Sequence, residues 1–259
     1  MGGYMSMENN IAISPEEAAD FEEYKRRKKI LELRGRLRGL EPTLVRKNAS
    51  AMEIRSVCEQ AKRIQSACVC VQPVYVRTCK NLLKNTGVGV SSIIGGNSES
   101  TLKVKLYELK NSLREGANEL DFYPCISAII NGNYTYFKKE IKKILRRARL
   151  RTVKIHLDAY SLPTDKFLRI AQIALDAGGK YLCVRAEEEL ITLLQRQLKK
   201  KCEIKAWGVE TPERFKDMLA LGCARIGSEL VGEIVQGMEE EVNGLCAALP
   251  APVEEIPAS

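Results

Sequence analysis

The sequence predicts a TIM (β/α)8 barrel with an extra N-terminal helix. Short apolar runs alternate with segments of helical periodicity from residue 39 onward, which indicates parallel strands joined by helices. Eight such runs occur, as a closed barrel requires, and the 259 residues of the chain match the roughly 250 that this fold uses. An open, doubly wound sheet is the alternative, but no Gly-x-Gly-x-x-Gly motif follows the first strand.

Each predicted strand is a short run bounded by turn residues or a helix. The run at 67–71 is continuously apolar and ends before Pro73, as is typical of a parallel strand covered on both faces. The helix before it places Ile54, Val57 and Cys58 on one face. The predicted strands cover 40–45, 67–71, 88–94, 119–122, 152–157, 181–184, 203–207 and 224–227. The predicted helices between them cover 51–65, 74–84, 102–115, 134–149, 164–177, 187–199 and 211–221.

Three segments are predicted along the chain. Residues 1–38 form an extension with a charged helix, where Ser14 can cap the helix and Pro15 suits its first position. Residues 39–236 form the barrel. Residues 237–259 form a C-terminal tail that ends in a stretch rich in Pro and Glu.

The charge balance favours acidic partners. Lys and Arg number 41 against 33 Asp and Glu, which gives a formal net charge of +8. Such an excess attracts phosphate esters, nucleic acid, anionic membranes or acidic proteins. Much of it lies in two runs, 25–29 and 138–151, which can also be ordinary solvated helix faces.

The cysteines indicate a reducing environment. Nine are scattered along the chain, an odd number, and we interpret them as reduced thiols of a cytoplasmic protein. No Cys-x-x-Cys or Cys/His metal spacing occurs and His156 is the one histidine, so we expect no metal site. No apolar stretch reaches the roughly 18 residues of a membrane span.

Candidate site residues follow from the fold, because the chemistry of a TIM barrel sits at the carboxyl ends of its strands. Asp121 lies late in the fourth strand, Cys183 inside the sixth and Lys205 inside the seventh, while Asp158 and Ser228 follow the fifth and eighth. A charge inside a barrel strand is costly unless it is paired. An ion pair between Asp121 and Lys205 would meet that need, either as a structural pair or as part of a site.

Several segments resemble the deoxyribose-phosphate aldolase family, in order and spacing, over roughly residues 40–235. The segments that carry the likeness are 68–76, 116–121, 154–158, 204–206 and 224–227. The resemblance implies a TIM barrel and a Schiff-base mechanism that needs no cofactor. In that mechanism a lysine on the sixth strand attacks an aldehyde, and a second lysine and an aspartate tune the amine and move protons.

The likeness is retained at some functional positions and lost at others. Asp121 matches the family's essential aspartate and Lys205 its second lysine, but Cys183 stands where the nucleophilic lysine belongs. A thiol can add to an aldehyde but cannot form an iminium, so the electron sink of the aldol step is lost. At the first strand, the Asp-His pair of the family is Glu41-Pro42 here.

The phosphate site that the resemblance implies is degraded. Gly208, Gly227 and Ser228 match remnants of it, whereas Trp207 enters where the family has a small residue and one glycine is missing. Glu229 follows Ser228, and a carboxylate about 4 Å from a phosphate costs roughly 2 kcal/mol or more at moderate dielectric.

The leading hypothesis is therefore a catalytically inactive member of the family that acts by binding, with the N-terminal helix and the basic helix around 137–151 as candidate surfaces. An acidic protein such as actin is the proposed partner, by analogy with other sugar aldolases. The alternative is a weak or altered-substrate aldolase that uses Lys205. Small phosphosugars are not expected ligands. Nucleic acid is disfavoured because only 6% of residues are aromatic.

Overall fold

The computed structural model describes residues 15–96, 98–157, 162–198 and 201–247. Eight parallel strands close into a barrel in which each pairs with its neighbours along the chain and the first pairs with the last. Helices follow the strands and cover the outside of the barrel. The predicted TIM barrel is confirmed.

The helices and strands have the following bounds. The strands are β1 Leu40–Leu44, β2 Cys68–Val71, β3 Gly89–Ile94, β4 Glu119–Phe122, β5 Thr152–His156, β6 Tyr181–Arg185, β7 Glu203–Trp207 and β8 Arg225–Ser228. The helices are α1 Pro15–Arg36, α2 Ala51–Arg63, α3 Val76–Leu82, α4 Leu102–Glu115, α5 Ile126–Ile130, α6 Tyr134–Ala148, α7 Thr164–Asp176, α8 Glu188–Leu198, α9 Pro212–Ala220 and α10 Val231–Ala247.

The helices pack onto the strands through their apolar faces. The apolar face of α2 is buried, and the helix starts at a capping box in which Ser50 and Glu53 satisfy each other's backbone amides. The strands β2 to β5 are buried along almost their full length, as expected between a packed lumen and a helical layer. The core is one continuous cluster of apolar side chains.

The structure contains two helices that were not predicted, the short α5 and the longer α10. The boundary placed between 236 and 237 falls inside α10, because Met238 and Val242 continue the buried stripe of that helix. Ser14, Asp158, the first 14 residues of the predicted extension 1–38 and residues 248–259 of the predicted tail 237–259 lie outside the described residues.

The N-terminal helix packs onto the end of the chain. Ile30, Leu33 and Leu37 are buried, and α1 contacts α10. Most of the remaining surface of α1 is charged and exposed. None of the described helices has the length and apolar character needed to cross a membrane.

Candidate active site

Four charged side chains meet inside the barrel and form a buried ion network. Glu41 on β1 accepts hydrogen bonds from Lys154 Nζ on β5 at 2.7 and 2.8 Å, and it also bonds Lys205 Nζ on β7. Asp121 on β4 lies 2.7 Å from Lys205 Nζ and 3.0 Å from Lys154 Nζ. All four are almost fully buried, and the mostly buried Glu119 lies 3.1 Å from Lys154. The ion pair predicted between Asp121 and Lys205 is present.

Strand register brings these residues together. Side chains alternate between the two faces of a strand, so residues paired across neighbouring strands share a face. Asp121 is paired with Lys154, and Cys183 with Lys205, and all four point into the lumen. The first strand closes the ring at Glu41, which is paired with Gly227 of β8.

The network fixes its own protonation states. Burial alone would raise the pKa of Asp121 and Glu41, but the ammonium groups of Lys154 and Lys205 outweigh it and hold both carboxyl pKa values below their usual range. Burial alone would lower the pKa of Lys205, but Asp121 and Glu41 outweigh it and raise that pKa well above its ordinary value. The carboxylates are therefore ionised and Lys205 is an ammonium ion near neutral pH.

His156 lies at the end of β5 and hydrogen-bonds the carboxylate of Asp121. Its Nε2 lies 2.9 Å from Asp121 Oδ1, and its ring stacks on Tyr123 at 3.9 Å between centroids. An ionised carboxylate only accepts hydrogen bonds, so Nε2 carries the proton. Burial lowers the pKa of His156 despite the opposing effect of Asp121, and the buried Nδ1 has no hydrogen-bond partner among the described residues.

The sixth strand presents sulfur to the lumen. Cys183 is fully buried, and its Sγ, a ring nitrogen of His156 and a carboxylate oxygen of Asp121 all lie within 4.8 Å of one another. Burial raises the pKa of this thiol well above its ordinary value. The side chain that the resemblance expects to be an amine is therefore a neutral thiol next to Lys205.

A cavity of about 390 Å³ remains at the mouth of the barrel. It is bordered by the site residues Asp121, His156, Lys205 and Tyr123. It is also bordered by residues at or just after the ends of β7 and β8, namely Trp207, Gly208, Glu210, Gly227, Ser228 and Glu229. The exposed carboxylates of Glu210 and Glu229 thus line the cavity together with the residues that match the family's phosphate site.

The three predicted remnants of the phosphate site have other structural roles. Gly208 has φ +78°, a conformation that favours glycine. A Cβ on Gly227 would lie 3.1 Å from Lys205 Cε, so glycine there leaves room for the lysine. The Ser228 hydroxyl donates to Val209 O at 2.5 Å and accepts from the Leu230 amide at 3.0 Å. It is therefore bound to its own loop.

In the part of the chain that the structure describes, three groups of side chains have the donors for a metal ion. They are Asp121, His156 and Cys183; Glu41, Cys70 and Asp121; and Glu41, Cys68 and Glu119. In each group a carboxylate already bonds an ammonium group of Lys154 or Lys205. An ion would have to compete with these bonds, and Asp121 also accepts from Ser91 Oγ at 2.6 Å.

Glu41, Lys154 and His156 form much of the site, although no site role was predicted for them from the sequence. Glu41 was noted only as a departure from the family, and Lys154 and His156 only as part of a matching segment or as a lone histidine. Each is a polar or charged residue inside a buried barrel strand. The same signal indicates Asp121 and Lys205, and it applies to these three as well.

Solved structures share the barrel fold of this chain. The deoxyribose-phosphate aldolase of Aeropyrum pernix, described as having a unique tetrameric structure, has a TM-score of 0.74 and 20% identity, covering 88% of this chain and 100% of its own. An aldolase named QR15 has a TM-score of 0.74 and 22% identity, covering 82% of this chain and 97% of its own.

Sequence relatives define the family. The deoxyribose-phosphate aldolase of Caldicellulosiruptor saccharolyticus is 31% identical over 201 residues, which cover 73% of this chain and 91% of the relative. That of Clostridium botulinum is 30% identical over 206 residues, 76% of this chain and 97% of the relative. No family model matched the chain. The chain belongs to the deoxyribose-phosphate aldolase family.

Proposed function

We propose that this member of the family has lost imine-forming aldolase catalysis and acts by binding an acidic protein partner. The observation that carries the proposal is the state of the barrel amines. Lys154 and Lys205 are each bonded to carboxylates, and the sixth strand offers Cys183 in place of an amine.

Lys205 is a poor substitute for the missing nucleophile. An amine attacks a carbonyl only when it is unprotonated. The carboxylates of Glu41 and Asp121 favour the ammonium form and raise the pKa of Lys205, so the reactive form is scarce at neutral pH. The amine also lies one strand away from the place that the family uses, and a misplacement of about 1 Å can cost a hundredfold in rate.

The mouth of the barrel also suits a phosphorylated sugar poorly. Glu210 and Glu229 border the cavity, and the hydroxyl of Ser228 is engaged by its own backbone loop. A phosphate dianion there would meet negative charge without a free hydroxyl from Ser228. This favours loss of the family's substrate together with loss of its nucleophile.

The exterior supports a binding role. The net charge is +8, and basic runs lie on α1 and α6. A charge excess of this sign speeds the encounter with acidic surfaces. Actin is the acidic filament that we propose to test first, by fold-level analogy with other sugar aldolases.

Trapping with acetaldehyde and borohydride tests the loss of catalysis. Reduction fixes any imine as a stable ethyl adduct, and peptide mapping then locates it. We expect no adduct on Lys205 or Lys154 beyond the background on exposed lysines, and no cleavage of deoxyribose 5-phosphate. Turnover that disappears in Lys205→Met would instead establish the alternative of a weak aldolase.

Co-sedimentation with actin filaments tests the partner. We expect the protein to pellet with filaments at low ionic strength and to be released as salt rises, because screening weakens contacts between exposed charges. Failure to pellet at low salt removes actin as the partner. It leaves the catalytic half of the proposal untouched, since that rests on the trapping result.

A further inference from the structure

A groove with basic walls runs along the outside of the barrel between α4 and α6. Two adjoining hollows of about 520 and 740 Å³ make up this α4/α6 groove, and both are bordered by Lys110, Arg147 and Arg149. The basic residues of the groove are Lys110, Arg114, Lys143, Arg146, Arg147, Arg149 and Arg151. The helix α4 contributes two of these, so the basic surface extends beyond the run at 138–151.

Among the described residues, none of these seven side chains forms an ion pair within 4 Å of a carboxylate, although Arg114 contributes to the lowered pKa of Glu115. The acidic side chains of the two helices are engaged elsewhere. Glu108 accepts from the Gly95 amide at 2.6 Å, Glu115 binds Arg77, and Glu140 is buried in an ion pair. The groove therefore presents one sign of charge to solvent.

The basic run of α1 differs in this respect. Lys25 pairs with Glu22 and Arg27 with Glu23 on the same helix. Part of the charge of α1 is thus neutralised locally, as on an ordinary solvated helix. The α4/α6 groove is the stronger candidate for an anionic partner.

The two walls are held together from within. Lys105 of α4 and Glu140 of α6 form a fully buried ion pair at 2.9 Å, and Lys105 also donates to the Ser98 and Tyr123 carbonyls at 2.9 Å. Glu140 in turn accepts from the Cys125 amide at 2.8 Å. The spacing of the walls is therefore fixed before any partner arrives, which lowers the entropic cost of binding.

Apolar side chains line the same groove. Leu106, Leu109 and Leu113 of α4 border it. Tyr107 and Leu150 are strongly exposed there, at 73% and 103%. A groove with apolar lining and basic walls matches an amphipathic segment that has one apolar and one acidic face.

We propose that the α4/α6 groove binds an acidic amphipathic helix of a partner protein. This rests on the proposed binding function and specifies its surface. A second copy of the chain is a poor occupant because it also carries a net charge of +8. Single-stranded nucleic acid needs aromatic platforms for its bases, and the residues that border the groove include one aromatic, Tyr107.

A peptide titration tests the groove on the full chain. The probe is a fluorescein-labelled synthetic helix of glutamates with leucines at i, i+3, i+4 and i+7, and binding is read by fluorescence anisotropy. We expect saturable binding that weakens as salt rises. A peptide of the same composition with its leucines clustered at one end should bind several-fold more weakly, because it has no continuous apolar face.

Paired charge reversals locate the contact. Lys110→Glu with Arg147→Glu changes one exposed residue on each wall, and Lys28→Glu with Lys29→Glu makes the same change in net charge on exposed residues of α1. We expect the first pair to weaken peptide binding by about tenfold or more and the second by less than about twofold, since contact charges act far more strongly than distant ones. Tyr107→Ala should weaken binding several-fold with little change in its salt dependence.

Four outcomes would overturn the proposal that the α4/α6 groove binds an acidic amphipathic helix. These are no binding of either peptide, equal loss in the two paired variants, loss only in the α1 pair, and tighter binding of a single-stranded oligonucleotide or of phosphatidylserine vesicles than of the helix. If filaments still pellet with Lys110→Glu/Arg147→Glu, the binding function stands and this surface is wrong. Circular dichroism of each variant confirms that it is folded.

Discussion

Removing the charge of Glu41 should destabilise the whole barrel. Its carboxylate bonds Lys154 Nζ at 2.7 and 2.8 Å and also bonds Lys205, with every partner buried. One such contact is worth about 6 kcal/mol of Coulomb attraction at an effective dielectric of 20, before desolvation is subtracted. Breaking one side of a buried pair typically costs about 3–5 kcal/mol net. We expect a loss of that size in Glu41→Gln, which keeps the shape and removes the charge.

Thermal unfolding followed by circular dichroism measures this loss. About 2–4 °C of Tm per kcal/mol is usual for a chain of this size, so the midpoint should fall by roughly 10 °C. Glu239→Gln is the matched control, because Glu239 pairs with Arg63 where both side chains are about half exposed. Such surface pairs contribute about 0–1 kcal/mol. Equal midpoints for Glu41→Gln and the control would refute the view that Glu41 neutralises two buried ammonium groups.

Two further predictions concern His156 and Cys183. Burial lowers the pKa of His156, so the unfolded chain binds a proton at higher pH than the folded chain and the free energy of unfolding should rise with pH through the window below about 6.5. His156→Asn should flatten this rise in urea unfolding between pH 5 and 7, and an unchanged slope would contradict the assignment because the chain has a single histidine. Cys183→Lys adds an amine beside Lys205, whose positive charge lowers the pKa of the new lysine, so acetaldehyde and borohydride should leave an adduct at position 183. Cys202→Lys is the surface control. If folded Cys183→Lys gains no more adduct at its new lysine than this control does, the lumen does not favour the free amine.

The barrel itself could be predicted from the sequence because its determinants are local. A continuous apolar run such as 68–71 has few uses other than a strand buried on both faces, and the helices show their apolar stripes at 3.6-residue spacing. The absence of an amine on the sixth strand was equally local, since strand alternation alone sends the side chain of Cys183 to the lumen. The differences from the family's phosphate site, such as Trp207 and Glu229, could likewise be identified one residue at a time from the sequence.

The end of the chain shows where local signals fail. The boundary predicted at 236 divides α10, whose residues beyond that point are helical because Met238 and Val242 pack into the core. Burial of this kind depends on the position of neighbouring elements, which the local pattern does not report. The short α5 was missed for a similar reason, since five residues are too few to establish a periodicity.

The order of residues along the chain sets which side chains enter the barrel: sulfur on the sixth strand, and charges on the first, fourth, fifth and seventh. Which of these charges meet depends on the folded arrangement. Glu41 and Lys205 are 164 positions apart, and only closure of the barrel brings the carboxylate into contact with both lysines. The α4/α6 groove likewise exists because two helices with separate basic faces pack side by side around a buried Lys105–Glu140 pair. Electrostatic energies depend on distance and burial, and neither quantity is contained in spacing along the chain.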